Sequence, residues 1–261
     1  MRRLVDDTGR AVDVPDDVTR VVSIVPSLTE SVAATAPGLV VGATDWCTHP
    51  ADLDVARVRG TKNPHVERIV GLAPDLVLAN AEENREPDLD LLRAAGLPVW
   101  VTDVRTVSGA QPALGPAGSL QRALDACGLG RPRWLDAADA AWAAVRPADP
   151  RRRALVPIWR RPWMAVGRDT FTGDVLARLG VDNVLADDPE RYPRLDRDAL
   201  AGRVGDYDLV VLPDEPYRFT ADDGPEAFPA VDCVLVPGRL LTWYGPSLVE
   251  AATALPGWLT P

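Results

Sequence analysis

A β-branched run stopped by a proline constrains this chain more than any other stretch in it. Val21, Val22, Ile24 and Val25 are nearly unbroken apolar residues, the pattern of a strand covered on both faces in a parallel sheet. Pro26 ends the run. Ser27 and Glu30 stand at capping-box spacing ahead of Leu28, Val32 and Ala33, which predicts a helix starting here and ending at Pro37 and Gly38. A second strand, Leu39 to Ala43, follows at once. The segment Thr44-Asp45-Trp46-Cys47-Thr48-His49-Pro50 then puts a large aromatic on a loop at a strand's carboxyl end, where open α/β sheets place ligand sites.

The remainder extends this alternation. The turn Asp7-Thr8-Gly9-Arg10 between two short apolar runs predicts an edge hairpin. Helices are predicted over Val66 to Leu72 and Leu89 to Ala95, the latter closed by Gly96, with strands at Leu76 to Leu78 and Val99 to Val101. From Ala117 to Val145 the pattern is helical throughout, with a break at Gly128 to Gly130 and Pro132 placed for a new first turn. Trp134 and Trp142 fall on the apolar spacing of that second helix and read as structural. Alternation then resumes, with strands at Ala154 to Ile158, Trp163 to Val166, Leu209 to Leu212 and Cys233 to Val236, and helices at Thr172 to Leu179 and Asp198 to Arg203. Both halves carry an Asp immediately before a buried strand, Asp75 before Leu76 and Asp208 before Leu209, a hint of two similar lobes.

Length and charge set the outer bounds. A chain of 261 residues holds one large core or two modest ones, and 46% hydrophobic with 25% charged residues is ordinary for a folded globular protein. A net charge of −10 argues against a general nucleic-acid or anionic-membrane surface. Cys47, Cys127 and Cys233 are dispersed and odd in number, so they form neither a disulfide framework nor a CxxC motif. The residues after Arg2 and Arg3 carry no apolar signal core, and no run approaches the roughly 18 apolar residues of a membrane span. The chain as written therefore reads as cytoplasmic, and as periplasmic or cell-surface if its start is trimmed.

If both lobes are parallel α/β sheets, their strand-end loops can face one another across a cleft. Those loops carry Trp46, Trp159, Trp163, Tyr217, Phe219, Trp243 and Tyr244, a large share of the 8 Trp, 4 Tyr and 3 Phe present. Aromatics concentrated on loops suggest a wide, flat ligand held by stacking. Asn80 and His49 lie on the same predicted loops, and Arg160, Arg161, Arg168 and Arg239 are the nearby guanidinium groups. Catalysis has no organising motif: GxSxG, P-loop, HExxH and GxGxxG are all missing, and Ser23 and Ser27 lack a recognisable base nearby in sequence.

Several segments together resemble the class III substrate-binding proteins, the family of vitamin B12, ferric-siderophore and haem receptors. They are Arg20-Val21-Val22-Ser23-Ile24-Val25-Pro26-Ser27-Leu28-Thr29-Glu30, Val41-Gly42-Ala43-Thr44-Asp45-Trp46-Cys47, and Asn63-Pro64-His65-Val66-Glu67 running on to Leu78. In the second half, Arg161-Pro162-Trp163, Gly180 to Leu185, Pro213 to Tyr217 and Trp243 to Pro246 match more loosely. The resemblance implies two Rossmann-like α/β lobes joined by a single long α-helix, with a ligand cleft between them. It divides the chain into an N-terminal α/β lobe over 1–116, a helical linker over 117–147 and a C-terminal α/β lobe over 148–261. It further implies a non-enzymatic binding protein with no catalytic cofactor, whose ligand is itself a metal chelate. Family members that dock on an ABC permease do so through an acidic residue on each lobe. Glu67 matches the first, and Asp198, or Asp196 beside it, lies near the second. No signal peptide or lipobox accompanies these motifs, which turns the expectation toward storage, sensing or intracellular handling of the ligand.

Ligand class is then a choice between physical profiles. A cobalt corrinoid has a face suited to aromatic walls, for which Trp46, Trp159, Trp163, Tyr217, Trp243 and Tyr244 would serve. A ferric siderophore, often anionic, would want the forks of Arg161 and Arg239. Haem would want an axial ligand, for which His49 is the histidine on a predicted cleft loop.

Overall fold

A computed structural model describes residues 1–107, 116–196 and 206–259, in two compact units. The first comprises Met1–Val104, Ser108–Ala137 and Tyr244–Pro246, and the second Arg105–Val107, Ala138–Trp243 and Ser247–Pro261.

In the first unit the edge hairpin forms as its turn residues predict: β1 (Arg2–Val5) pairs antiparallel with β2 (Ala11–Val14). The Asp6 carboxylate accepts from the Thr8 and Arg10 amides at 3.0 Å, so one side chain reinforces the backbone hydrogen bonds that close the turn. The sheet proper is built from β3 (Val21–Ser23), β4 (Val40–Ala43), β5 (Ala56–Arg57), β8 (Leu76–Asn80) and β9 (Val99–Thr102), in the order β5-β4-β3-β8-β9, with every pair parallel. A small antiparallel pair, β6 (Arg59–Gly60) with β7 (Asn63–Pro64), stands apart from it. Helices α1 (Pro26–Thr35), α2 (Val66–Gly71), α3 (Glu86–Ala94) and α4 (Gln121–Ala126) complete the unit. The core is the β-branched set that the sequence advertises: Val22, Ile24, Val77, Val99 and Val101 packed with Ile69, Leu89 and Leu92.

The capping-box expectation fails in its detail. α1 starts two residues earlier, with Val25 as N-cap and Pro26 in the first turn, and no side chain caps it. Proline's fixed φ favours the first helical position, so the helix begins on Pro26 and Ser27 falls inside it.

α5 (Arg133–Ala144) contains the division between units, which falls between Ala137 and Ala138. It follows the break at Gly128 to Pro132 that separates it from α4. Its tryptophans are structural, as read: Trp134 donates to the Thr35 hydroxyl at 3.0 Å within the first unit, and buried Trp142 donates to the Leu248 carbonyl at 3.0 Å within the second.

In the second unit the predicted strand Ala154 to Ile158 divides. β10 (Arg152–Leu155) enters a parallel sheet, whereas β11 (Pro157–Arg160) turns back against β12 (Trp163–Ala165) in a separate antiparallel sheet closed by β14 (Arg194–Leu195). Pro157, which cannot donate to a ladder, stands where one strand gives way to the other. The parallel sheet takes β13 (Val181–Asn183), β10, β15 (Leu209–Pro213) and β16 (Asp232–Val236), in that order. Helix α6 (Phe171–Leu179) is capped by Thr170, whose hydroxyl accepts from the Gly173 amide at 3.1 Å, and it ends on Gly180 at φ +87°. Two helices without a predicted counterpart, α7 (Gly238–Thr242) and α8 (Ser247–Leu259), close the chain. The helix predicted over Asp198 to Arg203 lies outside the described residues.

Candidate functional site

Each parallel sheet has a point where strand order reverses, and there two neighbouring strands send their carboxyl-end loops apart, leaving a crevice. In the first unit this point lies between β3 and β8. It is filled by the unit's own polar side chains. The Asn84 carboxamide accepts from the Asn80 amide at 2.8 Å and donates to the Ile24 and Thr61 carbonyls at 3.2 and 2.9 Å. Asn80 is itself only 2% exposed; its carbonyl oxygen accepts from the Glu82 and Glu83 amides, and its nitrogen donates to the Thr102 hydroxyl at 3.2 Å. Asn80, expected as a ligand contact, is therefore a structural residue that shapes the loop after β8.

Tyr244 is corrected in the same way. It is 4% exposed, belongs to the first unit and donates to the Glu83 carboxylate at 3.1 Å. Burial, reinforced by Glu83, pushes its phenol well above the ordinary tyrosine range, so it stays neutral and keeps that hydrogen bond. Gly245 allows the approach: a Cβ there would stand 2.8 Å from the Ser31 hydroxyl and 3.1 Å from the Ser27 carbonyl. Trp243 is also 4% exposed, so it presents almost no ring surface to solvent. Sequence alone could not separate these two rings from the loop aromatics, because burial is decided by what packs over a loop.

What the first unit leaves open is the loop after β4. Trp46 is 62% exposed, the largest apolar side chain presented there. Behind it, Cys47 is fully buried between the hydroxyls of Thr29 and Thr44, at 3.0 and 3.1 Å, and burial raises its thiol above the ordinary range, which makes it an inert packing group. His49 lies two residues on, half-buried, with Nδ1 3.0 Å from the Thr48 hydroxyl. Glu67 is exposed in the first turn of α2, on the same unit.

In the second unit the order reverses between β10 and β15, and there the crevice is built from aromatics. The β11–β12 hairpin leaves the end of β10 and brings Trp159; the loop after β15 brings Tyr217 and Phe219. Trp159 meets Tyr217 edge-on at 5.6 Å and remains 42% exposed. Trp163, across the hairpin, is half-buried: it stacks on Phe219 at 6.0 Å and meets Phe228 at 5.6 Å. It is thus more a backing for the crevice than its face. Arg161 is exposed at the hairpin turn and makes no ion pair among the described residues.

The other three arginines read as cleft candidates each have a carboxylate neighbour. Arg160 lies over the Trp163 ring at 5.3 Å and pairs with both Asp223 and Glu226. The Gly224 amide first, and then Arg160, hold Glu226 below the ordinary carboxylate range. Arg168 is 3.8 Å from Asp169, and Arg239 is 3.3 Å from Glu250, so Arg239 is not an open fork for an anion. Asp223 and Glu226 went unread in the sequence: they stand more than sixty positions from Arg160, and nothing local marks an acidic loop residue as its partner. Asp198 lies outside the described residues, and Asp196 before them is exposed.

Among the described residues, no group of three or more His, Cys, Asp or Glu side chains could hold a bare metal ion, and no helix is long and apolar enough to cross a membrane.

Comparison with known proteins bears on this arrangement. No family model matches the chain. It is 22% identical over 195 residues to a vitamin B12-binding protein of Pectobacterium carotovorum, covering 70% of this chain and 68% of that one. It is 28% identical over 192 residues to an uncharacterized ABC transporter substrate-binding lipoprotein of Bacillus subtilis, covering 70% of this chain and 60% of the relative. Among solved structures, the periplasmic vitamin B12-binding protein of Vibrio cholerae superposes with a TM-score of 0.67 at 18% identity, over 94% of this chain and 98% of its own. The apo periplasmic haem-binding protein of a Roseiflexus species gives 0.72 at 21% identity, over 92% and 97%. At these identities the likeness to the solved structures is one of fold, and it spans both units.

Proposed function

We propose that this chain, a class III substrate-binding protein in fold, binds a metal-chelate small molecule without transforming it. A cobalt corrinoid such as cobalamin is the first ligand, and haem or a ferric siderophore the second. The observation that carries this reading is the pair of exposed indoles, Trp46 at 62% on the loop after parallel strand β4 and Trp159 at 42% on the hairpin that follows parallel strand β10, in a fold whose relatives bear the names of vitamin B12 and haem binders. An exposed indole face on such a loop is a surface on which a flat ring system can stack. The state of the arginines supports a ligand of low charge: Arg160, Arg168 and Arg239 have carboxylate neighbours, leaving Arg161 as the open guanidinium of the proposed set. For a chelate with an open axial position, His49 on the loop after β4 is the proposed axial ligand.

The relatives described as periplasmic or as a lipoprotein support work outside the cytoplasm, with delivery to an ABC permease, rather than the cytoplasmic role read from the first residues. In that role Glu67, exposed on α2, is the proposed permease contact of the first unit, and Asp198 that of the second.

Calorimetric titration of the purified protein with cyanocobalamin, dicyanocobinamide, haemin and a panel of ferric siderophores tests the reading. A corrinoid dissociation constant at or below about micromolar, roughly −8 kcal/mol, is expected, with weaker binding of the anionic chelates. If none of these ligands binds more tightly than about millimolar, the binding function is wrong.

A further inference from the structure

We propose that Arg160 and Asp223 are positioning residues that lock the Trp159 face for stacking, through a relay that runs from Glu226 to Arg160, Asp223, Tyr217 and finally Trp159. Each link is in place within the second unit. Glu226 and Asp223 both pair with the Arg160 guanidinium, one at each terminal nitrogen. Asp223 uses its other oxygen to accept from the Tyr217 hydroxyl at 2.6 Å. Tyr217, held at both its ring and its hydroxyl, presents that ring to Trp159 edge-on at 5.6 Å and rests against Phe219 at 4.7 Å. Arg160 closes the loop by lying over Trp163, the residue opposite it in the hairpin register.

The relay explains why an arginine beside an aromatic crevice has two carboxylates assigned to it. Two acidic partners cancel its attraction for an anion, so its contribution to this crevice is geometric. A side chain with its fork satisfied on both sides is a fixed strut. The exposed indole at the end of the relay is then pre-organised, and a stacked ligand does not have to order it on binding. This inference rests on the proposed ligand function for its affinity readout, and has a second readout that does not need it.

The test uses the full chain with Tyr217→Phe, which keeps the ring and removes the hydroxyl, Asp223→Asn, Arg160→Met, and Arg160→Lys, which keeps the charge and removes the fork. Protein labelled with 5-fluorotryptophan gives a ¹⁹F resonance for Trp159, assigned by its loss in Trp159→Phe. In the absence of ligand, the Trp159 resonance is expected to move and change width in Tyr217→Phe, Asp223→Asn and Arg160→Met, and to stay displaced in Arg160→Lys, whose ammonium keeps the charge but lacks the fork, while the indoles of the first unit stay unchanged. Cyanocobalamin affinity is expected to fall about three- to tenfold in the same three variants, the cost of ordering one large side chain. A Trp159 resonance identical to wild type in Tyr217→Phe and Asp223→Asn overturns the relay. Altered resonances with unchanged cyanocobalamin affinity overturn its role in binding. Failure of the wild-type protein to bind any chelate removes the ligand assignment, and the fluorine spectra still decide the relay. Arg160→Met also removes packing on Trp163; Tyr217→Phe, with one hydroxyl changed, remains decisive if that variant unfolds.

Discussion

At the scale of single residues, exposure sorts aromatics that the sequence presents as equals. Trp46 at 62% and Trp243 at 4% both follow strands or short helices on apparent loops, and both carry the same side chain. Truncating them should give opposite phenotypes. Trp46→Ala should leave stability within about 0.5 kcal/mol, as for most surface changes, and weaken chelate binding. Trp243→Ala should cost about 3–5 kcal/mol, the usual range for a buried Trp cut to Ala. Urea denaturation of both variants checks this, and equal losses of stability would mean that Trp46 is held by packing after all. The polar residues divide on the same ground: Asn80 is 2% exposed with its carboxamide engaged at both ends, whereas Arg161 stands open to solvent.

At the scale of elements, two glycines show how a helix end can be either a local or a tertiary matter. Gly96 ends the first unit's α3 region at φ +82° with open space around it, and Gly180 ends α6 at φ +87° against a neighbouring backbone. A Cβ on Gly180 would stand 2.4 Å from the Ala148 nitrogen and 2.7 Å from its carbonyl oxygen. Gly96→Ala should therefore cost about 1–2 kcal/mol for the left-handed conformation alone. Gly180→Ala should cost that amount plus about 1–3 kcal/mol of overpacking. Equal unfolding midpoints for the two variants would remove the close approach as a cause. The sequence made both glycines legible as helix stops, because a missing Cβ is a local property. It could not reveal that only one of them is pressed against another segment. The divided strand has the same origin. Ala154 to Ile158 is one apolar run, and its split into β10 and β11 depends on which neighbour each half pairs with.

At the scale of the whole molecule, buried thiols and phenols tie global stability to alkaline pH, Cys127 and Tyr244 foremost among them. Burial pushes the Cys127 thiol from its ordinary value up to about 12, and burial with Glu83 raises the Tyr244 phenol well above its usual range. In the unfolded chain these groups lose their protons first, near pH 9 for the thiol and pH 10 for the phenol. The folded state then binds more protons than the unfolded state, so stability that is intact below about pH 9 declines as pH rises toward 12. Cys127→Ala should flatten this decline relative to its own stability at pH 7, and Tyr244→Phe should flatten its upper part. Denaturant midpoints measured from pH 7 to 11 check both, and an unchanged slope in both variants would mean that other groups carry the alkaline limb.

By itself the sequence determined the alternation of strands and helices, the break before Arg133, and the likeness to two-lobed chelate binders. These follow from periodicity, proline and glycine placement, and apolar runs, all of which act over a few residues. Only the tertiary structure decided which aromatics stay open. Trp46 and Trp159 remain in solvent while Trp243 and Tyr244 are covered, because burial depends on segments distant in the chain. It also decided that Arg160 belongs to Asp223 and Glu226 and not to a ligand, since an ion pair across more than sixty residues leaves no local trace.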